Sequence, residues 1–127
     1  MTGQRLINSH LPVVLSPSGS PSQHIVTENV GSTSTFVGQQ WLGTGRRVFL
    51  HTHPVEEVIM VMTGEGDATL GEDVFAISGG TTLLFPAGVV HGFRNTGTTP
   101  MHVIIVFPVP RFADITFVET PYDQEIG

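Results

Sequence analysis

Lysine is absent from this 127-residue chain, and so is cysteine. Without lysine there is no Schiff-base or lysine-nucleophile chemistry, and without cysteine there are no disulfides, thiolate nucleophiles or thiolate metal sites. Charge is also sparse, at 13% of residues. The basic residues are five arginines, Arg5, Arg46, Arg47, Arg94 and Arg111, against eleven acids, for a net charge of −6. Nucleic-acid binding needs a positive footprint for phosphates, and this chain has no basic stripe to supply one. No apolar run approaches the roughly 20 residues that span a bilayer. The opening Met1–His10 has no apolar stretch of the kind a signal peptide carries. The expectation is a cytoplasmic, non-membrane protein.

Good helix formers are scarce, whereas glycine (15) and proline (9) are plentiful. The length allows a single buried core. From Ser32 onward, runs rich in Val, Ile, Thr and Phe are cut by Gly, Pro or Asn at short intervals. They are Thr33–Leu42, Arg47–His53, Glu57–Met62, Asp67–Leu70, Val74–Ile77, Thr82–Phe85, Val90–Arg94 and Met101–Pro108. Short strands at such spacing predict an all-β sandwich or barrel, and no ten-residue amphipathic helix competes with them. The predicted organisation is an N-terminal arm over 1–31, a barrel over 32–110 and a C-terminal extension over 111–127. Within the arm, Leu11–Leu15 reads as a short edge strand and Ser16–Ser22 as a turn-rich linker. The arm is expected to be a strand swapped between subunits, a lid or a loosely held terminus. The tail from Thr120 is expected on the surface.

Three of the six histidines form a pattern. His51 and His53 stand at i and i+2, which places them on one face of a strand. Glu57 opens the next run after the turn at Pro54, and His91 opens a distant one. Two imidazoles on one strand, a carboxylate on its hairpin partner and an imidazole from afar can converge inside a barrel. Such a three-nitrogen, one-oxygen set suits Fe, Mn, Ni, Co, Cu or Zn, with positions left open for water or substrate.

The punctuation around these residues carries a family resemblance. Gly45, His51, His53, Glu57 and Gly64 stand at the intervals of the first cupin motif, and Gly80, Pro86, Gly88, His91 and Asn95 at those of the second, with fifteen residues between the two. The chain therefore resembles a small single-domain cupin with both motifs intact, over about residues 32–110. The resemblance implies an RmlC-like jelly roll of two antiparallel sheets, a double-stranded β-helix with one metal near its mouth. Its ligands would be His51, His53, Glu57 and His91. Gly64, Gly80 and Gly88 are expected in turns with positive φ, and Asn95 in bonds to backbone at a strand end.

Strand alternation extends inward from the ligands. If His51 and His53 point in, so does Phe49; with Glu57 go Ile59 and Val61, and with His91 goes Phe93. Along Met101–Phe107, burying Met101, Val103, Ile105 and Phe107 keeps His102 out of the core, where an unpaired polar group costs about 2 kcal/mol or more. The expected wall is thus apolar: Phe49, Ile59, Val61, Phe93, Met101, Ile105 and Phe107, many of them also barrel core. An inward Gln39, Gln40, Arg47, Arg94 or His102 would contradict it. With no second carboxylate, lysine or tyrosine in that wall, the leading expectation is a dioxygenase-type enzyme holding Fe or Mn and acting on a small hydrophobic or aromatic molecule. The alternatives are a non-oxidative isomerase, cyclase or lyase, and a barrel that binds a small ligand without catalysis. The opposite face of Glu57–Met62 is also apolar, which predicts a homodimer with Met60 and Met62 near the contact, unless the arm covers them.

Overall fold

Residues 3–119 are described by the computed structural model, and among them eleven strands form two sheets. In chain order they are β1 (Val14–Leu15), β2 (Pro21–Val26), β3 (Phe36–Leu42), β4 (Arg47–Thr52), β5 (Glu57–Thr63) and β6 (Glu65–Leu70). β7 (Asp73–Ser78), β8 (Thr81–Phe85), β9 (His91–Asn95), β10 (Met101–Phe107) and β11 (Thr116–Phe117) follow. One sheet runs β1-β2-β3-β10-β5-β8 and the other β11-β4-β9-β6-β7, every pairing antiparallel. The expected all-β jelly roll of two antiparallel sheets is borne out. No helix among the described residues is long and apolar enough to cross a membrane.

The alternation read from β10 holds, with Met101, Val103, Ile105 and Phe107 buried. Their antiparallel partners on β3 are Leu42, Gln40, Gly38 and Phe36, which therefore face the same interior. Around them pack Ile59, Val61, Ala68, Phe85 and Phe93 from both sheets. Trp41 faces outward and stacks on His102, which is half-buried and hydrogen-bonded to Gln39 Oε1 at 2.8 Å. β3 starts at Phe36 rather than Thr33 because the Ser32 hydroxyl closes a local turn, donating to Thr35 O and accepting from Thr35 N.

Two segments outside the motif region join the sheets. Residues 21–26 form β2, which pairs with β3 and carries β1 on its outer edge. Gln23 pins the chain before it, donating to Asn8 O at 2.8 Å. The arm thus lies at the β3 side and leaves Met60 and Met62 exposed. At the other end, β11 pairs with β4, and Glu119 accepts from Leu50 N and ion-pairs with Arg47. The tail from Thr120, expected on the surface, lies outside the described residues.

Candidate metal centre

β4 presents Phe49 and His51 to the interior, because alternate residues share a face and both are buried. His53 follows just past the strand end, Glu57 opens β5 and His91 opens β9. Gly88, at φ +78°, shapes the turn before His91, and its N–H donates to His53 O at 2.9 Å. One backbone bond thus ties the loop carrying the third imidazole to the second. Asn95 closes the far end of β9: its Nδ2 donates to Leu42 O and Thr99 O, and its Oδ1 accepts from Gly97 N. Gly64, at φ +100°, lets the chain pass so close that a Cβ would lie 2.8 Å from Met101 Cα. Glu56, beside Glu57, is exposed, and Arg94 points out to Asp67.

His51, His53, Glu57 and His91 converge, one ligand atom from each lying within 4.8 Å of all the others, and all four are buried. Each imidazole is oriented by a main-chain carbonyl. His51 Nδ1–H donates to Phe49 O (2.6 Å), His53 Nδ1–H to Asp114 O (2.8 Å) and His91 Nδ1–H to Val89 O (2.9 Å). A carbonyl can only accept, so in the neutral ring the proton sits on Nδ1 and Nε2 keeps a lone pair. Those lone pairs face inward: His51 Nε2 is 3.1 Å from His53 Nε2, and His91 Nε2 is 2.7 Å from Glu57 Oε1. Facing acceptors repel unless a cation lies among them. A proton relieves one pair, whereas a divalent ion relieves all four, so the donor set fits a transition metal. These four side chains can hold a metal ion.

The electrostatics agree with a cation-seeking site. Burial, with His91 and His53 nearby, pushes His51 down to about 4, so it stays neutral near pH 7. Burial also opposes charge on His53 and Glu57, but Glu57 and the Asp114 carbonyl raise His53 despite it, and His53 with His91 holds Glu57 below the usual carboxylate range.

Of the residues expected in the wall, Phe49 lines a small cavity of about 40 Å³ that reaches His51, shared with Gln40, Phe112, Ile115 and Phe117. Ile105 lines an adjoining cavity of about 210 Å³. Phe107 meets the His53 ring edge-on at 4.9 Å. Ile59, Val61, Phe93 and Met101 sit in the packed core. The wall is not wholly apolar. Gln40 faces the interior and its Nε2 donates to Ser16 Oγ and Ser18 Oγ, both at 3.1 Å. His24, on β2, also lines the larger cavity. Neither His24 nor Phe112, Ile115 and Phe117 was singled out from sequence. The only signal for His24 was its two-residue spacing from Ser22 in a polar, turn-rich run.

Comparison with known proteins places this geometry. A model of the cupin domain matches residues 42–107. Protein SchB of Streptomyces halstedii is 32% identical over 97 residues, 75% of this chain and 70% of that protein. Polyketide synthase CurC of Streptomyces cyaneus is 35% identical over 69 residues, 54% of this chain and 45% of that protein. Among solved structures, the polyketide cyclase RemF from Streptomyces resistomycificus superposes with a TM-score of 0.80 at 16% identity, covering 97% of this chain and 90% of that one.

Proposed function

The chain belongs to the cupin family, and we propose that it is a metal-dependent enzyme that cyclises or rearranges a polyketide-type β-carbonyl substrate without oxygen. The observation that carries the reading is the convergence of three Nε2 lone pairs and the Glu57 carboxylate. His51, His53, Glu57 and His91 would hold one divalent ion, a set compatible with Fe, Mn, Zn, Ni, Co or Cu. Bound there, such an ion supplies Lewis-acid polarisation of a carbonyl oxygen.

The chain's own groups do the rest. Three main-chain carbonyls hold the imidazoles in one tautomer, so the ligands need no reorganisation. Phe112 and Phe117 beside His51 give a flat substrate apolar ring surface, and buried Phe49, with the Arg47 guanidinium 4.4 Å from its ring centroid, closes the same wall. Gln40 offers a neutral amide in the same wall. The preference for cyclase-type chemistry draws on the likeness to CurC and RemF, whose names give polyketide chemistry. The aromatic wall favours a second reading, an Fe- or Mn-dependent dioxygenase acting on a small aromatic molecule. In either case the proposed assembly is a homodimer through the face bearing Met60 and Met62.

Elemental mass spectrometry on protein purified without chelator or histidine tag should find one divalent ion per chain. Turnover of a β-carbonyl polyketide substrate should be abolished by EDTA and be equal in aerobic and anaerobic buffer. Oxygen consumed in step with product would replace this reading by the dioxygenase. No metal after reconstitution would overturn both and leave a ligand-binding barrel.

A further inference from the structure

The imidazoles of His51, His53, His91 and His102 are all hydrogen-bonded, whereas His24 is exposed and its ring, with no such partner among the described residues, is open to solvent and free to meet a ligand. Its position is not accidental to the fold. His24 pairs with Gly38, which pairs in turn with the inward Ile105, so the side chain of His24 is directed to the interior face. Between His24 and Val26 the register with β3 shifts, and such a bulge re-aims neighbouring side chains. The ring stacks on Phe112 at 5.6 Å and meets Phe36 edge-on at 5.2 Å. Phe112 itself lies 6.1 Å from the His53 ring. A single aromatic ring therefore separates an unpartnered imidazole from the metal-ligating cluster.

The space beside that ring is continuous in its lining. The cavity of about 210 Å³ is bounded by His24, Gln40, Ile105, Phe36, Phe112 and Ile115, among others. Gln40, Phe112 and Ile115 also bound the small cavity that reaches Phe49 and His51. Among the described residues, no arginine, aspartate or glutamate lines either one. The apolar rings suit a flat hydrophobic ligand, and the absence of a formal charge disfavours an ionised group at its outer end.

We propose that His24 is a specificity-determining residue that hydrogen-bonds a neutral hydroxyl or carbonyl oxygen on the outer ring of a fused-ring phenolic ligand, whose inner end points to His51 at the edge of the candidate metal cluster. The assignment rests on the metal-dependent reading above and names its substrate class. Partial burial lowers the His24 pKa, which favours the neutral imidazole with one donor and one acceptor nitrogen. A neutral imidazole can therefore read either a hydroxyl or a carbonyl.

The test uses the full chain as purified and three probes: naphthalenediol with hydroxyls at opposite ends, naphthol, and hydroxynaphthoic acid. Affinities are measured by fluorescence titration, the His24 ring protons are followed by NMR, and metal content is measured on the same samples. The diol should bind more tightly than naphthol or the acid and shift the His24 resonances. His24→Phe, which keeps a ring on Phe112, should weaken the diol by about tenfold, as loss of one hydrogen bond implies, and leave naphthol unchanged. His24→Gln should restore most of the difference. Equal losses for diol and naphthol, unmoved His24 resonances or no diol binding would overturn the proposal. Diol selectivity in protein that takes up no metal would sustain the subsite while overturning the metal-dependent reading.

Discussion

Each candidate ligand imidazole is held by a main-chain carbonyl, so no side chain stands behind the ligands to be lost by substitution. Metal affinity then depends on the four donors themselves. His53→Ala removes one donor and the edge-on contact with Phe107, leaving a ring-sized void that costs about 1–3 kcal/mol. The barrel should stay folded by circular dichroism, since its core is built from residues of both sheets. Metal affinity should fall by more than the roughly 10–100-fold typical of losing an outer-shell partner. Glu57→Gln keeps an oxygen but removes the only negative charge in the cluster, and should also lower occupancy. Elemental analysis after equilibration with limiting metal reads both, and full occupancy in the two variants would remove these residues from the ligand set. The four clustered positions were legible in sequence because the spacing suits such a cluster: i, i+2 for one strand face, then a turn to the partner strand. His24 was not, because its neighbours Ser22 and Gln23 are polar on both faces of β2 and only pairing with β3 gives the segment a direction.

At the scale of elements, the interior strands were legible because each buries one apolar face, which fixes both period and register. The segments at either end were not. Residues 14–20 have few apolar contacts to announce them and are held by hydroxyls: Ser16 Oγ lies 2.8 Å from Ser18 Oγ and accepts from Ser20 N, while Gln40 Nε2 bridges Ser16 and Ser18. Such bonds are side chain to side chain across 22 and 24 residues of sequence, and no local pattern encodes them. This strap borders both cavities through Ser16 and Pro17, so its stability bears on access to the site. Gln40→Leu removes the bridge while keeping the inward volume close. Hydrogen exchange at the Gly19 and Ser20 amides should then quicken by about tenfold, the equivalent of one to two net hydrogen bonds, with metal content unchanged. Exchange equal to that of the parent protein would show that the backbone bonds Ser16 N–Ser20 O and Gly19 N–Ser16 O hold the strap unaided.

For the whole molecule, what composition and periodicity could not supply was the order of strands within each sheet; the paired motifs supplied the jelly roll by resemblance, and the apolar outer face of β5 then becomes interpretable. β5 lies between β10 and β8, so Val58 stands beside Val106 and Leu84, and Met60 beside Ile104. Met60, Met62 and Leu84 are 38%, 46% and 56% exposed, and the described residues of the N-terminal arm, lying at the β3 side, do not reach them. A central strand that is apolar on both faces is out of place on a monomer's surface, and in the proposed homodimer a second copy of the same face would cover it with a self-complementary patch. Sedimentation equilibrium should therefore return twice the 13.6 kDa chain mass. Because Met60 and Met62 point away from the interior set Glu57, Ile59 and Val61, the double variant Met60→Glu, Met62→Glu should dissociate the proposed dimer without disturbing the candidate metal ligands. A parent protein that sediments as a monomer at every concentration would refute the dimer, and a double variant that remains dimeric would move the contact elsewhere. Dissociation with full metal occupancy would separate the two apolar faces of β5 by role, the inner one packing the core and the outer one binding the partner.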